Sequence, residues 1–127
     1  MKFSELFDRW IKIIIEEGYP GKDIVAYNFG IFESLAEAGY KMYLIGSDYY
    51  DQDSEDWCAG TGDLLPKMVY LDLPAKEFKG LDWQEVEKII IDKVKEFTDT
   101  EIYKKSFFNQ AQAITVGFDD GDLIRIK

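Results

Sequence analysis

The sequence predicts an α+β domain: an antiparallel β-sheet with two main helices packed on it and a C-terminal β-hairpin. Three observations predict it. An apolar stripe at helical spacing opens the chain, and a second, capped stripe begins at Asp82. Runs rich in Val, Ile, Tyr and Phe lie between these stripes and after them. Nothing in residues 1–127 reads as an internal repeat, a low-complexity segment or an interdomain linker, so the chain reads as a single domain of ordinary size.

Each element has its own local signal. Phe7, Trp10, Ile11 and Ile14, joined by Phe3 and Leu6, repeat every three or four residues. They predict an amphipathic helix over residues 4–17, stopped by Gly18 and then Pro20. Residues 24–32 are strand-like, 33–39 read as a connection, and 40–45 resume strand character, giving an antiparallel pair. A third strand is expected over residues 67–73, ended by Pro74. Asp82 with Glu85 three residues on has the spacing of a capping box, and Trp83, Val86, Ile90, Val94 and Phe97 mark one face of the helix that follows, with Ile89 widening the stripe. Thr98 and Glu101 repeat that spacing and predict a short helix over 99–107. Asp120-Gly121 between two apolar runs predicts the closing hairpin with a two-residue type I′ turn, in which Gly supplies positive φ.

Composition narrows the function. The 127 residues carry 15 basic and 25 acidic side chains, a net charge of −10. Residues 1–23 contribute a balance of −1 and residues 67–127 a balance of −2, whereas residues 24–66 contribute −7, with Lys41 the only base. Such a field repels nucleic acid and anionic membrane and attracts basic proteins or cations. Phosphate recognition needs a basic patch, and none is visible. No apolar run approaches the roughly 20 residues of a membrane span. Glu5, Asp8 and Arg9 interrupt any secretory core, and Cys58 has no second cysteine to pair with. A cytoplasmic protein is expected.

Catalytic machinery is hard to assemble from these residues. With no histidine in the chain, Ser-His-Asp and Cys-His mechanisms lack the imidazole that moves the nucleophile's proton. Cys58 sits among acids, which raise rather than lower a thiol's pKa. An EF-hand started at Asp51 fits Asp53 and Glu55 but places Asp56 where glycine is needed and Gly62 where the bidentate acid belongs. Gly60-Thr61-Gly62-Asp63 lacks the lysine of a phosphate loop and reads as a turn. No catalytic, metal or cofactor residues are therefore assigned.

What remains is the stretch from residue 47 to 63, SDYYDQDSEDWCAGTGD, where five carboxylates fall between Asp48 and Asp56 without a base. One reading is a solvated loop. The other is a recognition surface for a basic protein, with Asp48, Asp51, Asp53, Glu55 and Asp56 steering and pairing with the partner. Tyr49 and Tyr50 would be aromatic anchors, and Trp57 an inward structural anchor. The segments Tyr43-Leu-Ile-Gly-Ser47, Asp53-Ser-Glu-Asp-Trp-Cys-Ala59 and Gly117-Phe-Asp-Asp-Gly-Asp-Leu123 resemble small bacterial immunity-type proteins, which accompany polymorphic or contact-dependent toxins. That resemblance implies a non-enzymatic cytoplasmic inhibitor that binds a cognate, basic toxin and blocks its active site. A carboxylate-based cation-binding protein or small enzyme, and a housekeeping regulatory adaptor, are the alternatives.

Overall fold

A computed structural model describes residues 2–20, 23–34, 39–58 and 66–127. The chain runs α1 (Phe3–Glu17), β1 (Ala26–Ser34), β2 (Gly39–Ser47), β3 (Tyr70–Asp72), α2 (Ala75–Phe78), α3 (Trp83–Thr98), α4 (Glu101–Lys104), β4 (Ala113–Phe118) and β5 (Ile124–Arg125). Single turns of 3-10 helix cover Asp56–Cys58 and Phe107–Gln110. The fold is α+β, a five-stranded sheet in the order β3-β2-β1-β4-β5 with helices on one face.

The helix-to-sheet core follows from side-chain periodicity. Phe7, Trp10, Ile11 and Ile14 of α1 and Val86, Ile90, Val94 and Phe97 of α3 bury against Tyr27, Phe29 and Ile31 of β1 and Ile114 and Val116 of β4. Phe7 meets Phe29, Trp10 and Phe97 at ring-centroid distances of 5.9–6.0 Å. Lys93 of α3, only 6% exposed, fastens the two helices by reaching Asp8 at 3.0 Å and the Ser4 hydroxyl at 2.7 Å. Gly18 ends α1 at φ 78°, a conformation that favours glycine.

The capping box of α3 is present. The Asp82 carboxylate accepts the Glu85 N–H at 2.8 Å, and Glu85 accepts the Asp82 N–H in return. We expect Asp82→Ala to cost about 1 kcal/mol, the usual value of such a cap. In urea denaturation the midpoint should fall while the slope stays unchanged.

Several expectations need correction. The sheet is mixed rather than wholly antiparallel: β1 pairs with β2 and β2 with β3 antiparallel, but β1 and β4 run parallel, with Ala26 opposite Ala113 and Gly30 opposite Gly117. The three helices between β3 and β4 form the long crossover that a parallel neighbour requires, and local patterning carries no trace of that choice. The third strand shrinks to Tyr70–Asp72. The expected helix over 99–107 divides into α4, capped by the Thr100 hydroxyl rather than Thr98, and the 3-10 turn after Ser106.

The closing hairpin forms, with Val116 opposite Ile124, but not through a type I′ Asp-Gly turn. Gly121 is not at positive φ, and its N–H donates to the Phe118 carbonyl at 3.0 Å. Asp119 and Asp120 therefore take the central turn positions and Gly121 the last, where type I turns favour glycine. The returning chain lies across Gly117, whose absent Cβ would sit 2.6 Å from the Asp122 carbonyl oxygen, so a side chain has no room at this position.

Candidate functional site

The acidic stretch has a seat on the sheet face opposite the helices. On β1 and β4 large and small residues alternate: Tyr27, Phe29, Ile31, Ile114 and Val116 face the helices, whereas Ala26, Asn28, Gly30, Ala113, Thr115 and Gly117 face the other way. The parallel register aligns Ala26 with Ala113, Asn28 with Thr115 and Gly30 with Gly117, producing a shallow strip of small side chains. Its buried polar members satisfy each other, the Thr115 hydroxyl donating to Asn28 Oδ1 at 2.9 Å. Trp57 lies on this strip, 2% exposed, in contact with Ala26 and Ala113. Tyr50 packs edge-on against its indole at 5.2 Å.

Polar bonds fix the rest of the loop. Asp51 Oδ1 accepts the Asp53 N–H at 2.9 Å, and the Ser54 hydroxyl accepts the Asp56 N–H at 3.1 Å. Glu55 Oε2 accepts the Leu123 N–H at 2.6 Å, tying the loop to the β4–β5 turn. The Arg125 guanidinium stacks on the Tyr50 ring at 5.2 Å and donates to the Gln112 and Lys127 carbonyls.

The candidate contact residues thus divide. Asp48, Asp51, Asp53 and Asp56 are exposed, and Tyr49 is 53% exposed. Among the described residues none of these four carboxylates forms an ion pair with Lys or Arg. Glu55 and Tyr50 instead hold the loop in place. Three further acids escaped the sequence reading, which treated residues 119–122 only as a hairpin: Asp119, Asp120 and Asp122 are exposed on the turn that Glu55 joins to the loop. The signal was their charge, uncompensated and as dense as in the loop.

A second set of contacts supports that turn. The Tyr43 hydroxyl of β2 donates to Asp119 Oδ1 after crossing Gly30, where a Cβ would collide with the Tyr43 ring. Burial, followed by the Asp119 carboxylate, raises the Tyr43 phenol above its ordinary range, so it stays protonated as a donor. Gly30→Ala should displace Tyr43 and cost about 1–3 kcal/mol, the usual penalty of overpacking. Denaturation of the variant alongside Tyr43→Phe measures how much belongs to the lost hydroxyl bond.

The thiol beside this surface is shifted away from the thiolate form. Burial first, then Glu55, Asp119 and Asp56, pushes the Cys58 thiol up, and Cys58 Sγ donates to the Glu55 carbonyl. Among the described residues no group of three Cys, Asp or Glu side chains is arranged to hold a metal ion. None of their helices is long and apolar enough to cross a membrane. Residues 60–63, read as a plain turn, and Ala59 of the second motif lie outside the described residues. No family model matches the chain, and no curated protein or solved structure matches it.

Proposed function

We propose that this chain is a non-enzymatic acidic docking module, an immunity-type protein that binds a cognate basic toxin and neutralises it in the cytoplasm. One observation carries the reading: unpaired carboxylates of the 48–56 loop are mounted on a buried tryptophan and joined through Glu55 to a second acidic turn. A loop that only kept the chain soluble would need no such seat. Asp48, Asp51, Asp53 and Asp56 meet the partner's Lys and Arg, Tyr49 supplies rigid contact area, and Glu55, Tyr50 and Trp57 hold the presenting surface still. A fixed array of charge loses less conformational entropy on binding than a floppy one.

The test is co-expression with the protein encoded beside it. Rescue of growth from a toxic neighbour, with a complex that survives gel filtration in low salt, supports the proposal. A neighbour with no toxicity that nevertheless binds would make the chain a regulatory adaptor. A neighbour that neither harms the cell nor binds would count against both.

A further inference from the structure

Beside the acidic turn, at the end of the sheet where β1 and β4 finish and α3 begins, lies an open groove of about 670 Å³. Four aromatic residues line it, Phe32, Tyr40, Trp83 and Phe118. Trp83 and Tyr40 each meet Phe118 edge-on, with centroids 6.1 Å apart. Trp83 is 55% exposed, so little of this indole serves the core. Three carboxylates, Glu33, Asp119 and Asp120, also line the groove, and among the described residues no Lys or Arg does. At the adjoining α3 N-terminus the Asp82 and Glu85 carboxylates already sit on two of the free N–H groups and add negative charge beside the groove.

Aromatic faces beside carboxylates complement one kind of side chain. A guanidinium is planar, stacks on rings, is weakly hydrated and bonds carboxylates in pairs. We propose that this groove receives an arginine side chain of the basic partner, its stem on Trp83 and Phe118 and its charged end between Glu33 and Asp120. The inference deepens the docking proposal and rests on it. It adds an anchor distinct from the 48–56 loop. Burial, then Glu33 and Asp82, raises the Tyr40 phenol, consistent with a local field that favours a cation.

A tetra-arginine peptide and its neutral citrulline counterpart serve as probes. The Trp83 indole N–H resonance reports the groove, since Trp10 and Trp57 are each only 2% exposed. Tetra-arginine should shift that resonance saturably, and the citrulline peptide should not. Trp83→Ala should weaken binding about tenfold by calorimetry, and so should the combined Glu33→Gln and Asp120→Asn, which spare the core. Neutralising Asp51, Asp53 and Asp56 to Asn should leave the Trp83 shift in place. If tetra-arginine binds but Trp83 does not shift, or the groove variants bind as tightly as the parent, the groove proposal fails while the docking module stands. An equal shift with citrulline also overturns it, because the groove would then be merely apolar. No binding of tetra-arginine at millimolar concentration overturns both.

Discussion

Reversing Asp51, Asp53 and Asp56 to Lys slows association with a basic partner by on the order of 10- to 100-fold in low salt, while the protein stays folded. All three side chains are exposed, and each reversal removes two units of negative charge from a chain at net −10. Encounter between oppositely charged surfaces is steered by the field at long range, so the on-rate carries the loss. Dissociation should change less. Stability should fall by no more than about 1 kcal/mol, because only the Asp51 bond to the Asp53 N–H is sacrificed and like-charge repulsion is relieved. Stopped-flow mixing with the partner measures the effect. An unchanged rate would remove the loop from the interface.

Trp57→Ala has the largest expected effect on stability. The indole is among the largest fully buried side chains and fills the strip over Ala26 and Ala113. Truncating such a residue costs about 3–5 kcal/mol, a large part of the 5–15 kcal/mol that stabilises an ordinary domain. For a chain of this length the melting temperature should drop by roughly 10–20 °C. Trp57→Phe, which keeps a ring on the strip, should lose less than half as much. The Ala variant also leaves Tyr50 without its 5.2 Å edge contact. Binding should therefore weaken at temperatures where the variant is still folded, although no charge has changed. A melting temperature within about 3 °C of the parent would show that the loop is not held by its tryptophan.

Elements written in local chemistry were legible. The spacing of Phe7, Trp10, Ile11 and Ile14, the left-handed stop at Gly18 and the Asp82–Glu85 box each need only neighbouring residues to be read. What escaped was non-local. The parallel partnership of β1 with β4 depends on where a helical crossover returns the chain, which no window of residues encodes. The Asp120-Gly121 pair signals a hairpin but does not fix its turn: the bond from the Gly121 N–H to the Phe118 carbonyl places Gly121 last rather than central.

The seat for Trp57 was half legible. Ala-Tyr-Asn-Phe-Gly-Ile from residue 26 and Ala-Ile-Thr-Val-Gly-Phe from residue 113 share one small–large alternation, and each names a face too shallow to be left bare. The two stretches reinforce each other only once their register is known. The acids of residues 119–122 join the loop for the same reason, through a Glu55–Leu123 bond that spans 68 positions of sequence.

The most direct measurement is the association rate with the cognate partner as salt is raised from about 0.01 to 0.5 M, across which the screening length shrinks from about 30 Å to a few ångströms. If this molecule works by presenting fixed, unpaired carboxylates to a cationic surface, the rate falls at least about tenfold over that range. A rate equal at both ends of the range would contradict it.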